Sequence, residues 1–152
     1  MSGLRCGPPR RHAIIAALLS FTAWDAAAAD LHFQAGLDPV AFDDSTVKTT
    51  VGKGDASATL SGRALTVSGR YAGLSSAATA AHLNIGSAAG VPGPTIAPLT
   101  VTGGVNGQVG GKVTLTAIQA AALRNGGLSI VIDSEKAPAG NLWGWLLAAP
   151  PL

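Results

Sequence analysis

The sequence predicts an all-β domain: an antiparallel Greek-key sandwich or barrel, immunoglobulin-like, of about seven to nine short strands with one short helix. Three observations carry this prediction. Apolar and polar residues alternate with a period of two in one short run after another, as on strands with one buried face. Glycine-, proline- and asparagine-rich turn signals separate these runs at close spacing. Only Thr116–Arg124 has the composition and the flanking caps of a helix.

In chain order, Leu31, Phe33 and Ala35 alternate with His32 and Gln34, and Leu37-Asp38-Pro39 is expected to break that first strand. Ser45–Lys53 is polar and ends in a Gly52-Lys53-Gly54 turn. Asp55–Leu60 and Ala64–Tyr71, separated by Ser61-Gly62-Arg63, form a hairpin with one apolar and one polar face. Ala80–Gly86 is a strand with Ala81, Leu83 and Ile85 on one face and His82 and Asn84 on the other. After the Ser87–Pro94 loop, Thr95–Thr102 is interrupted at Pro98, which predicts an edge strand or two pieces. The glycine-rich Gly103–Gly111 reads as a mobile turn before a short strand, Lys112–Leu115. Thr116 caps the helix, and Asn125-Gly126-Gly127 stops it. The chain closes on a hairpin. Leu128–Asp133 is a half-buried strand, Ser134–Asn141 a loop longer than two residues, and Leu142–Leu147 the returning strand.

Arg5, Arg10 and Arg11 precede an apolar run, Ala13–Ala23, and then Ala26-Ala27-Ala28-Ala29. A basic start, an apolar middle and small residues at the end are the parts of a secretory signal peptide, with cleavage expected after Ala29. The run is too short for a membrane span, which needs roughly 20 residues. The expected organisation is a leader over residues 1–29, one β-domain over 30–147 and a tail over 148–152, exported to the periplasm or the cell exterior. Leader removal takes three of the ten basic and one of the eight acidic residues, leaving seven of each. A neutral domain carries no electrostatic footprint for nucleic acid. Cys6, the one cysteine, leaves with the leader, so the mature domain has neither a disulfide nor a thiolate metal site.

Three short motifs follow one another along the chain. The first is Ala81-His82-Leu83-Asn84-Ile85-Gly86, followed by the Val91-Pro92-Gly93-Pro94 loop. The second is the short helix, ending at Leu123 and Gly127, with Leu128–Ser134 after it. The third is Pro138-Ala139-Gly140-Asn141-Leu142-Trp143-Gly144. In their order and spacing these motifs resemble the chordin-type (CHRD) domain family; the resemblance spans about Phe33 to Leu147 and implies a secreted β-domain. It also marks departures: where the family's pattern has a second and third histidine, a glutamate and an arginine, this chain has Asn84, Asp133, Asn141 and Trp143. His82 alone of that polar set is kept, so the fold carries over better than the site.

His82 and Asp133 are the candidate metal ligands, for zinc or copper, with His32 as the only other histidine of the mature chain. The bland account is a histidine hydrogen-bonded to Asp133 or to backbone. Ser134, His82 and Asp133 are the residue types of a hydrolytic triad, but neighbours on a strand point to opposite faces and no serine has a nucleophile-elbow glycine pattern. Asp38, Asp43 and Asp44 lack the spacing of a calcium loop, and Gly103–Gly111 lacks that of a phosphate loop. Trp143 and Trp145 share one strand face, opposite Leu142 and Leu146. With Asn84 and Asn141 they form the candidate binding surface, for a protein or a glycan, unless the N-terminal segment or the helix covers them. No catalytic residue and no cofactor is assigned. The resulting expectation is an exported, non-catalytic binding or structural module, with a metal-binding protein and a carbohydrate-binding module as rivals.

Overall fold

The computed structural model describes residues 29–40, 44 and 46–150, with Gly3 alone ahead of them. The leader motifs and Asp43 lie outside the described residues. Among the described residues are nine strands and one helix: β1 Leu31–Pro39, β2 Lys53–Ser61, β3 Ala64–Ala72, β4 Ala78–Ile85, β5 Thr95–Val101, β6 Gly107–Thr114, α1 Ala117–Arg124, β7 Leu128–Ser134, β8 Ala137–Trp145 and β9 Leu147–Ala148.

Every pairing is antiparallel, and the order β1-β2-β3-β6-β5-β4-β7-β8 returns to β1. Eight strands therefore close into a barrel, which removes the sheet edges an open form would expose. β9 adds to β1 beyond the point where β8 leaves it. β4, β5 and β6 run as a meander with β3 beside β6 and β7 beside β4, so the connections are Greek-key.

The period-two pattern fills the interior. Phe33, Ala35, Leu37, Leu60, Leu65, Leu83, Ile130, Ile132 and Leu142 are all buried in one core cluster. Helix α1 lays Ala120 and Leu123 against that core. Its cap is as expected: Gln119 N donates to Thr116 Oγ1 at 3.2 Å, and Thr116 N donates back to Gln119 Oε1 at 2.9 Å. Gly126, at φ +73°, and Gly127 end it.

The structure corrects several expectations. Leu37-Asp38-Pro39 does not break β1; Asp38 and Pro39 pair with Trp143 and Leu142, with proline as the terminal residue, where a missing N–H costs no ladder bond. The Pro98 strand is one piece, paired to β4 through Ala81–Asn84 and to β6 at Thr100 and Val101. Gly103–Gly111 is only half turn. From Gly107 the chain is β6, and its glycines are there for contact: a Cβ on Gly107 would stand 2.5 Å from the Tyr71 hydroxyl, and one on Gly111 3.1 Å from the Leu99 side chain. The last hairpin is tight, with Ser134 paired to Ala137 across the turn Glu135-Lys136. Finally, β7 is buried along its entire length, on both faces, and is not half-buried.

Candidate functional site

In an antiparallel ladder, residues opposite each other share a face, so the register fixes what stands on the outer side of the buried strand β7. Two transverse rows cross it. One runs Pro98, His82, Val131, Trp143, Asp38; the other runs Thr95, Asn84, Ser129, Trp145. Long-range pairing thus brings His82, Asn84, Asp133, Trp143 and Trp145 to one face of the barrel wall, β4-β7-β8. Bulky side chains flank β7 on both sides there, which accounts for a non-core residue such as Val131 being only 3% exposed.

His82 Nε2 lies 2.7 Å from Asp133 Oδ2. Burial pushes the Asp133 carboxyl above its ordinary range, and the hydrogen bond and charge of His82 hold it back only in part. Two ligands at about 2 Å from one tetrahedral zinc would stand about 3.3 Å apart. The observed pair is closer than that and satisfies itself. His32 is two strands away on β1, where its Nδ1 meets Thr59 Oγ1 at 3.2 Å. Among the described residues no group of three or more histidine, cysteine, aspartate or glutamate side chains converges.

Ser134 is fully buried and its Oγ donates to Asn141 Oδ1 at 3.3 Å, so it is not presented to His82 and the triad geometry is absent. Asn141, expected on a binding surface, is instead 0% exposed. Its Nδ2 donates to Val51 O at 2.7 Å, which ties the loop ahead of β2 to the barrel. This is a structural role, and the surface expectation for Asn141 is corrected. Asn84 is buried too, with its Oδ1 accepting from Thr95 Oγ1 at 2.8 Å.

The indoles point outward, as Leu142 and Leu146 in the core require, but they do not form an open platform. Trp143 is 9% exposed and Trp145 is half-buried. Their ring centroids are 6.2 Å apart at an angle of 46°, so they are not coplanar. Trp143 folds over Gly140, where a Cβ would stand 2.1 Å from its Nε1. The N-terminal strand reaches Trp143, since Asp38 of β1 stands opposite it in the ladder. Beside them, Ser129 Oγ and Trp145 Nε1 are buried with no hydrogen-bond partner among the described residues, on residues directly opposite each other.

Asp38 and Asp44 are both exposed. A recess, not visible to sequence reasoning, lies over β1 and includes His32, Gln34, Ser57, Thr59 and Arg124. The alternation on β1 marks His32 and Gln34 as outward-facing, but their neighbours on β2 and α1 come from distant parts of the chain.

A family model described as the CHRD domain matches residues 33–146. That span takes in all eight barrel strands, from within β1 to the residue before β9. No curated protein matches the chain, and neither does any solved structure.

Proposed function

The chain belongs to the CHRD domain family, a family of non-enzymatic modules, and from that membership we propose that it is an exported, non-catalytic binding or structural module. The observation that carries this reading is the near-complete family match over a barrel that closes within the matched residues. Export is supported by Arg5, Arg10 and Arg11 ahead of the apolar run Ala13–Ala23, and by the alanines up to Ala29. The position of β1 agrees with removal there, because it opens at Leu31 and cleavage after Ala29 would leave every strand intact.

The residues of highest chemical promise are used internally. His82 holds Asp133, Asn141 holds Val51, and Ser134 is bonded to Asn141. Such an arrangement fits a rigid scaffold better than a reacting centre.

The test is expression of the complete chain with a C-terminal tag, cell fractionation and N-terminal sequencing. The expected product starts within a residue or two of Asp30 and lies outside the cytoplasm. A full-length product confined to the cytoplasm overturns export.

A further inference from the structure

The recess over β1 has a volume of about 810 Å³, within the range of ligand-binding clefts. Its floor is the outer face of β1 and β2. His32 stands opposite Thr59 and Gln34 opposite Ser57, so four polar side chains form a grid about 5 Å across the strands and about 7 Å along them. Arg124, the last residue of α1, and the chain after β9 form the rim, with Leu31, Ala148 and Pro150 as its apolar parts.

The polar heads are only partly occupied. His32 and Thr59 meet at 3.2 Å, and Ser57 Oγ donates to Ser68 O at 3.3 Å. Among the described residues the side chains of Gln34 and Arg124 have no hydrogen bond or ion pair. The backbone beneath is fully used: Phe33 and Gln34 pair with Ala58 and Ser57 on one side and with Ala148 and Leu147 on the other. A peptide therefore cannot add here as a strand. The ligand has to be one read by side chains, with hydroxyls for the grid and ring C–H surface for the apolar rim.

Charge selects within that class. Asp30 at the rim offsets Arg124 in the unprocessed chain. The guanidinium fork of Arg124, which is in no ion pair among the described residues, is the group at that rim suited to a carboxylate. We propose that this cleft binds an acidic polysaccharide, with sugar hydroxyls on Gln34, Ser57 and Thr59 and a carboxylate on Arg124. The inference rests on the reading of the chain as an exported binding module, because a polysaccharide of this class is met outside the cytoplasm.

The test uses the chain from Asp30, which contains every strand, and follows its backbone amides by nuclear magnetic resonance. The probes are an oligogalacturonate, a cello-oligosaccharide of equal length and an oligoglutamate peptide. Binding of the oligogalacturonate is expected to move amides at residues 31–34, 57–59 and 148–150. Arg124→Gln weakens that binding about tenfold while leaving the neutral sugar unaffected, and Gln34→Ala weakens both sugars. Unmoved cleft amides, equal binding of the peptide, or indifference to Arg124→Gln each overturn the proposal. Shifts confined to the Trp145 face sink the cleft but keep a binding module, and N-terminal sequencing reports on export separately.

Discussion

Asp133 and His82, 51 residues apart in sequence, meet at 2.7 Å on the outer wall of the barrel, with the carboxylate 12% and the imidazole 32% exposed. The pair explains why the face with the best chemical residues has no free ligand. It also gives the domain a specific acid response.

Because burial raises the Asp133 carboxyl above its unfolded value, the folded state binds that proton more tightly than the unfolded chain does. The stability this contributes is fully present below the ordinary carboxylate range and is lost as pH rises through the raised folded value. Asp133→Asn removes that contribution. Urea unfolding from pH 3 to 7 should show the native protein losing stability relative to Asp133→Asn as pH climbs through that window. A native protein that gains on the variant over the same interval contradicts the burial argument.

His82→Ala leaves a mostly buried carboxylate without its partner, at a cost of about 1–3 kcal/mol near neutral pH. The Asp133 carboxyl then moves further up, since the histidine is what holds it down. Unfolding midpoints at neutral pH, with carbon-detected titration of Asp133, measure both effects. An unchanged midpoint means the pair is incidental.

A self-satisfied pair should ignore metals. Zinc, copper and chelator are expected to leave the thermal midpoint of the chain from Asp30 where it is. A metal binding only the folded state at 100 times its dissociation constant would add about 2.7 kcal/mol. A zinc- or copper-dependent rise abolished by His82→Ala would restore the metal reading.

Gly144 lies at the closure of the barrel, where a Cβ would come 2.3 Å from Gly36 O and 2.7 Å from Leu37 Cδ2. Gly144→Ala must push β8 from β1 and is expected to cost about 3 kcal/mol, with hydrogen-exchange protection lost first at Gly36 and Leu37. Gly62→Ala is the control, because its Cβ meets nothing within 4 Å and only its φ of +60° resists substitution. Gly144 has no positive φ, so a loss in Gly144→Ala no larger than that in Gly62→Ala would show that the closure contact relaxes at little cost.

Ser129→Ala removes a buried hydroxyl that has no partner among the described residues, so it should be neutral or stabilising by about 1 kcal/mol. A loss above about 1 kcal/mol on thermal unfolding would reveal that Ser129 Oγ is satisfied by something bound.

Much of the architecture was legible because strand and helix signals are local. Period-two and β-branched runs between turn signals located eight strands, and Thr116 with Asn125-Gly126-Gly127 bounded the helix. The errors arose where a distant partner overrode local preference. Gly107 and Gly111 read as a turn, but Tyr71 and Leu99 occupy the space beside them. Pro98 read as an interruption, but β4 holds that strand together. Asn141 read as a surface amide, but the loop carrying Val51 folds onto it.

The sequence by itself determined the class of fold and the outward direction of His82, Trp143 and Trp145, since side-chain alternation on a strand is a property of one segment. It also determined the family, through motifs only a few residues long. Only the tertiary structure decided that the sheet closes, that Asp133 answers His82 directly and that Trp143 is covered. Those outcomes depend on register and on packing between segments as much as 90 residues apart, such as Val51 and Asn141, and no local pattern encodes them.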